Sequence, residues 1–109
     1  MDMVTVRRFD VYLVSLDPAV GSEIKKTRPC VIVSPDESNE ALNTVVIAPM
    51  TTTLHAYPTR VRLRFQGKDG EIAIDQLRAI DKRRLVKRVG SISAETKKKL
   101  STTLLEFFA

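Results

Sequence analysis

The sequence predicts a mainly β chain with helices, folded as a small, mostly antiparallel barrel with a C-terminal α-helix. Three observations carry this expectation. Short apolar or alternating runs ("FDVYLVSLD", "CVIVS", "TVVIAPM", "TRVRLRF", "EIAIDQL") recur between turn-forming segments, the pattern of about five or six short strands. No strand–helix–strand alternation repeats, so a parallel doubly wound sheet is not expected. From Ser93 onward the period changes: Leu100, Leu104 and Phe108 follow i, i+4, i+8, with Phe107 on the flank, as on one helix face.

Taken in order, Phe9–Leu16 is rich in β-branched and aromatic residues and reads as a strand. "DPAVGSEIKKT" carries Pro, Gly and charge and reads as a loop. "CVIVS" is continuously apolar, as in a strand buried on both faces. Ser34 is expected to cap a short helix reaching about Leu42, with Pro35 at its first position and Glu37 completing a capping box. "TVVIAPM" is a second buried strand. In "TRVRLRF", Val61, Leu63 and Phe65 point inward and Arg60, Arg62 and Arg64 outward. "QGKDG" is a turn and "EIAIDQL" the returning hairpin partner. "DKRRLVKRVG" reads as a basic connector with at most a helical turn. Ser93 caps the last helix, Glu95 lies in its first turn, and Lys97, Lys98 and Lys99 form a solvated face.

The chain has 109 residues, read as a single domain over 1–109. No apolar run approaches the roughly 20 residues of a membrane span, so no membrane partner is expected. The opening "MDMVTVRRFDVYLV" lacks a long apolar region followed by a cleavage site, so no signal peptide is expected. Cys30 is the sole cysteine, which fits a reducing cytoplasm, and its apolar run makes it core packing rather than a nucleophile. With one His and one Cys, no His/Cys metal cluster forms. Asp10, Asp17, Asp75 and Asp81 show no metal-binding spacing, and no nucleotide-binding glycine motif is present, so neither metal nor cofactor is expected. His55, in "TTTLHAYP", reads as a loop residue. Eighteen Lys and Arg against thirteen Asp and Glu give a net charge of +5. A basic chain attracts phosphate backbones or acidic protein segments, and solubility alone explains the excess equally well.

Two stretches stand out. "KKTRPCVIVSP" places Arg28 at the mouth of one buried strand, and "VVIAPMTTT" places Thr51 at the end of another. Paired in one sheet, the two runs bring Arg28 and Thr51 together at its edge. Alone, Arg28 reads as a surface ion pair and Thr51 as a turn hydroxyl.

The run "FDVYLVSLDPAVGSEIKKTRPCVIVSP", followed by "VIAPMTT", "YPTRVRL" and "AIDQLRAID", resembles the MazF/PemK toxins, or mRNA interferases, from Arg8 to the terminal helix. D-P-x-x-G-S-E, R-P, P-x-T-T and D-Q follow one another in the family's order. The resemblance implies a helix-decorated SH3-like barrel of the CcdB/PemK type, forming a homodimer. It also implies a metal-independent endoribonuclease that cuts single-stranded mRNA at short sequences. A cognate antitoxin with an extended acidic segment would restrain it. The family's catalytic arginine corresponds to Arg28, its threonine to Thr51 and its loop glutamate to Glu23. This chain has Phe9 where many members have glycine. It has Ser22 and Ala73 where the Kid branch has His and Arg, so that branch's assignment does not carry over and Asp75 is read as structural.

RNA is cleaved without metal when its own 2′-OH attacks the adjacent phosphorus, giving 2′,3′-cyclic phosphate and 5′-OH ends. Arginine suits the charge on the phosphorane, because its planar fork bonds phosphate oxygens and stays charged. A threonine hydroxyl adds one donor, and Glu23 is an orienter or weak base. Lys25, Lys26, Thr52 and Arg60 are candidate RNA contacts and Tyr57 a stacking platform, though the Arg60/Arg62/Arg64 face also reads as plain solvent surface. Other readings are a non-catalytic RNA-binding module of SH3-like fold, a degenerate toxin that only partners an antitoxin, and a CcdB-type gyrase inhibitor. The last relies on a tryptophan-containing tail that "LLEFFA" lacks.

Overall fold

The computed structural model describes residues 5–109, so the start of the opening segment read above lies outside the described residues. The elements follow the chain as β1 (Asp10–Ser15), β2 (Thr27–Ile32), α1 (Asp36–Ala41), β3 (Thr44–Thr51), β4 (Arg60–Phe65), β5 (Lys68–Ala73), a 3₁₀ turn (Ile74–Gln76), β6 (Arg78–Asp81), a second 3₁₀ turn (Lys82–Arg84), β7 (Leu85–Ser91) and α2 (Ala94–Phe108). Among the described residues no helix is long and apolar enough to cross a membrane.

All strand pairings are antiparallel, in the order β4-β5-β3-β2-β1-β7, with β6 also on β3. β3 closes the half-barrel. Its first half pairs with β6 through Thr44–Ile47, its end pairs with β5 at Met50 and Thr51, and its other edge holds β2. The continuous apolar run of β2 has the reason expected of it. Val31 enters one core cluster, with Ala48, Ile72 and Leu100, while Cys30 and Ile32 enter the other, with Val14, Leu16 and Ile47. Burial pushes the Cys30 thiol up to about 12, which keeps it inert.

Several local expectations change. Ser34 caps no helix: buried, it donates to Asn39 Oδ1 and accepts from the Val46 amide, tying α1 to β3. The hairpin turn is shorter than "QGKDG". Gln66 and Gly67 alone, both at positive φ, join Phe65 to its partner Lys68, as in tight two-residue hairpins. "IDQ" leaves the strand as a 3₁₀ turn, and the basic connector contains β7. Ser93 does cap α2, accepting from the Thr96 amide at 3.2 Å. Leu100 is fully buried and Leu104 packs on the core, but Phe108 stays 71% exposed, beyond the sheet's reach. Phe9 sits at φ +75°, in the left-handed region that glycine adopts without strain.

Candidate active site

β2 begins at Thr27, earlier than its apolar run, so Arg28 lies in the ladder opposite Val14 of β1. On its other edge β2 pairs Cys30 with Pro49. Two residues further along, the same register sets Arg28 across from Thr51. Both line a hollow of about 190 Å³, with Thr52 beside them and Gln66 and Lys68 of the β4–β5 hairpin opposite. β5 comes this close because Gly70 has no side chain: a Cβ there would stand 2.9 Å from the Thr51 carbonyl oxygen.

The donors at this hollow are only partly used. Arg28 Nε donates to the Lys25 carbonyl at 3.0 Å, and its terminal amino groups have no hydrogen bond or ion pair among the described residues. Thr51 Oγ1 accepts from the Thr53 amide at 3.1 Å, which leaves the hydroxyl proton to donate elsewhere. The guanidinium of half-buried Arg28 and the Thr51 hydroxyl thus border one cavity.

The loop before β2 is built around its own polar groups. The Lys26 amide donates to Asp17 Oδ1 at 3.0 Å and Lys26 adopts φ +72°, while the Leu16 amide donates to the Lys26 carbonyl. Lys25 and Lys26 are exposed. Glu23 does not pair with Arg28. Its Oε1 accepts from the Val20 amide at 2.6 Å, and the residue lines a neighbouring hollow of about 300 Å³ with Gln76 and Arg78.

Arg60 departs furthest from its expected outward, RNA-facing position. Its side chain is 7% exposed, bonded to Asp75 at 2.8 Å and to Glu71 at 3.2 Å. The hydrogen bond to Asp75 raises the guanidinium above its ordinary value, outweighing burial. Burial alone would raise the Glu71 carboxyl, but amide bonds from Ala56 and His55 and the Arg60 guanidinium hold it below the ordinary 4.5. Asp75 is likewise lowered: burial opposes it, and hydrogen bonds from Arg60 and Thr59 prevail. Sequence reading missed Glu71. Tyr57 is exposed and stacks on His55 at 4.8 Å, with Arg60 packed 5.1 Å from its ring. Arg62 and Arg64 do face solvent and pair loosely with Asp69. A larger hollow, about 530 Å³, lies between β4 and α2 beside Arg62, Lys98 and Lys99, but it holds neither Arg28 nor Thr51.

The profile of the family described as "PemK-like, MazF-like toxin of type II toxin-antitoxin system" matches residues 7–108. The chain belongs to this family. MazF from Deinococcus radiodurans shares its fold, with a TM-score of 0.85 over 97% of this chain and 98% of that one, at 21% identity. An endoribonuclease from Mycobacterial species matches with a TM-score of 0.80 over 97% and 93% of the two chains, at 25% identity. An endoribonuclease in complex with its cognate antitoxin, also from Mycobacterial species, matches over 94% of each chain at 25% identity and a TM-score of 0.80. On this MazF-like toxin, Arg28 and Thr51 are among the residues that line the 190 Å³ hollow, together with Pro29, Met50 and Thr52 of the same two segments.

Proposed function

We propose that this MazF-like toxin is a sequence-specific endoribonuclease that cuts single-stranded RNA at the Arg28–Thr51 hollow. The observation that carries the reading is the pair of unused donors, a guanidinium end and a hydroxyl, bordering one cavity. In the reaction, the substrate's O2′ gives its proton to water and attacks phosphorus, so that the O2′–P bond forms as the P–O5′ bond breaks. The 5′ oxygen takes up a proton from water, leaving a 2′,3′-cyclic phosphate and a 5′-OH. Arg28 bonds the non-bridging oxygens, on which charge grows, and donates toward the leaving oxygen; Thr51 adds a donor to the same group. Glu23 is assigned to shaping the loop that presents Arg28, since its carboxylate already holds the Val20 amide. A single strand suits the chemistry, because a duplex holds the 2′-OH out of line with the leaving oxygen and hides base edges. Lys25, Lys26 and Lys68 supply charge along the strand's path, Thr52 contacts it beside Thr51, and Tyr57, stacked on His55, offers an exposed aromatic surface; Arg60 is withdrawn from direct contact by its two carboxylates.

The partners follow from the same surface. Exposed basic residues around the hollow suit the extended acidic segment of a cognate antitoxin, and the protein works in the cytoplasm, where its mRNA substrate is. Leu105, Phe107 and Phe108 are exposed at the end of α2 and support a homodimer. Purified protein is mixed with single-stranded RNA in EDTA, and the product ends are mapped. Cutting with cyclic-phosphate and 5′-OH ends, slowed by about 10²–10³ in Arg28→Ala while binding is kept, is the expected result. Binding without cutting makes the protein a non-catalytic RNA-binding module instead.

A further inference from the structure

Resting on that nuclease reading, we infer that Gln76 is a positioning residue for Arg28, the bracket that ties the Asp17–Lys26 loop to the 3₁₀ turn across the neighbouring 300 Å³ hollow. Gln76 belongs to the 3₁₀ turn Ile74–Gln76, and its carboxamide works at both ends. Oε1 accepts from the Ile24 amide at 3.0 Å, and Nε2 donates to the Ser22 carbonyl at 3.4 Å. The next residue after Ile24 is Lys25, whose carbonyl accepts from Arg28 Nε at 3.0 Å. Fixing the Ile24 amide therefore fixes the acceptor that aims the guanidinium.

The preceding residues of the same turn hold the other loop. The Ile74 amide donates to the Thr59 carbonyl at 3.0 Å, and Asp75 accepts from Thr59 Oγ1 at 2.9 Å and from Arg60 Nε at 2.8 Å. One short turn thus grips the loop preceding β4 through Ile74 and Asp75 and the loop preceding β2 through Gln76. Arg78 and Arg84 reinforce the second grip at its root, donating to the carbonyls of Leu16, Ser15 and Asp17. Among the described residues, Gln76 is the side chain from another element that hydrogen-bonds the loop's middle. The D-Q dipeptide is in this way a spacer between the loops preceding β2 and β4, and its second member acts on catalysis through Arg28 without touching substrate.

The test compares Gln76→Ala, Gln76→Glu and Arg28→Ala in the full chain, by kcat on a short single-stranded RNA and by hydrogen exchange at the Ile24 amide. Gln76→Ala is expected to lower kcat about tenfold and to strip the Ile24 amide of protection. Gln76→Glu keeps the acceptor for the Ile24 amide and loses the donor to the Ser22 carbonyl, so it is expected to retain most of the Ile24 protection and to fall between wild type and Gln76→Ala in kcat. In an Arg28→Ala background, Gln76→Ala is expected to add nothing, since it acts through that guanidinium. If Ile24 protection is unchanged in Gln76→Ala, or if the same loss of kcat appears without Arg28, the inference fails while the nuclease reading stands. A wild-type protein that leaves RNA whole, or an Arg28→Ala variant that cuts as wild type does, overturns both.

Discussion

Arg28 and Arg60 look alike in the sequence, each at the start of a strand beside a polar loop, and the fold treats them in opposite ways. Arg60 is sunk to 7% exposure between Glu71 and Asp75, so its charge is consumed inside the protein. There it organises the 52–60 loop, because Glu71 also gathers the amides of His55 and Ala56. Arg28 spends only its Nε on the protein, on a carbonyl rather than a carboxylate, and keeps its two terminal amino groups for something else. A guanidinium whose carboxylates are already in place has little left for a phosphate. One held by a neutral acceptor is oriented without being neutralised. The pair separates a structural arginine from a chemical one on grounds of partner charge rather than position.

The sharpest way to break this contrast is to remove each arginine in turn. Arg28→Ala is expected to cut the RNA cleavage rate by about 10²–10³, with a stability change within about 0.5 kcal/mol, because it strips a donor from the reaction and little from the fold. Arg60→Ala is expected to lower unfolding free energy by about 3–5 kcal/mol, since it leaves the buried Glu71 carboxylate without its cation. Rates on RNA and urea denaturation of both variants decide the matter. A swap of the two phenotypes would refute it.

Much of this was legible. The two-faced burial of β2 followed from its unbroken apolar run, and the meeting of Arg28 with Thr51 followed from pairing that run with "VVIAPM". The fate of Arg60 was not, because strict alternation in "RVRLRF" gives Arg60, Arg62 and Arg64 the same outward direction. Only the register, which sets Arg60 beside Ala73 and Arg62 beside Glu71, places a buried carboxylate within reach of the first of them. β7 was missed because an edge strand with exposed Val86, Lys87 and Arg88, and only Leu85 and Val89 packed on the core, shows no clean alternation. Ser34 satisfied the capping-box pattern, yet the buried Asn39 side chain claimed its hydroxyl.

Acid sharpens the contrast next. Folded-state values of Glu71 and Asp75 lie below their ordinary 4.5 and 3.8. Their contribution is therefore complete above those ordinary values and is lost as pH falls through them toward the lowered ones. Wild-type stability, followed by urea denaturation from pH 6 to 3, is expected to fall most steeply below about pH 4.5. Glu71→Gln, which cannot take up that proton, is expected to start lower and flatten the slope; an equally steep decline would show that other carboxylates drive it. Gly70→Ala acts on the other side of the comparison. Its methyl group would lie 2.9 Å from the Thr51 carbonyl oxygen, a backbone atom that must move. A loss of about 1–3 kcal/mol in stability is expected, together with a fall in cleavage rate as Thr51 shifts from Arg28.

The smallest effect asks which charges the RNA feels at all. Lys26 is exposed on the loop that presents Arg28, and its φ of +72° is one that asparagine also accepts. Lys26→Asn therefore removes a charge while keeping the backbone shape that holds the Asp17 bond. Affinity for a non-cleavable single-stranded RNA is expected to drop only a few-fold. The slope of log affinity against log salt should shrink by about 0.7, as for one lost phosphate contact on a single strand. Arg60→Ala, measured below its unfolding midpoint, is expected to leave that slope where it was, because its charge is already matched by Glu71 and Asp75. Equal slope changes in both variants would mean that the Arg60 cluster opens to the RNA, and the distinction between a spent and an available guanidinium would then hold only for the free protein.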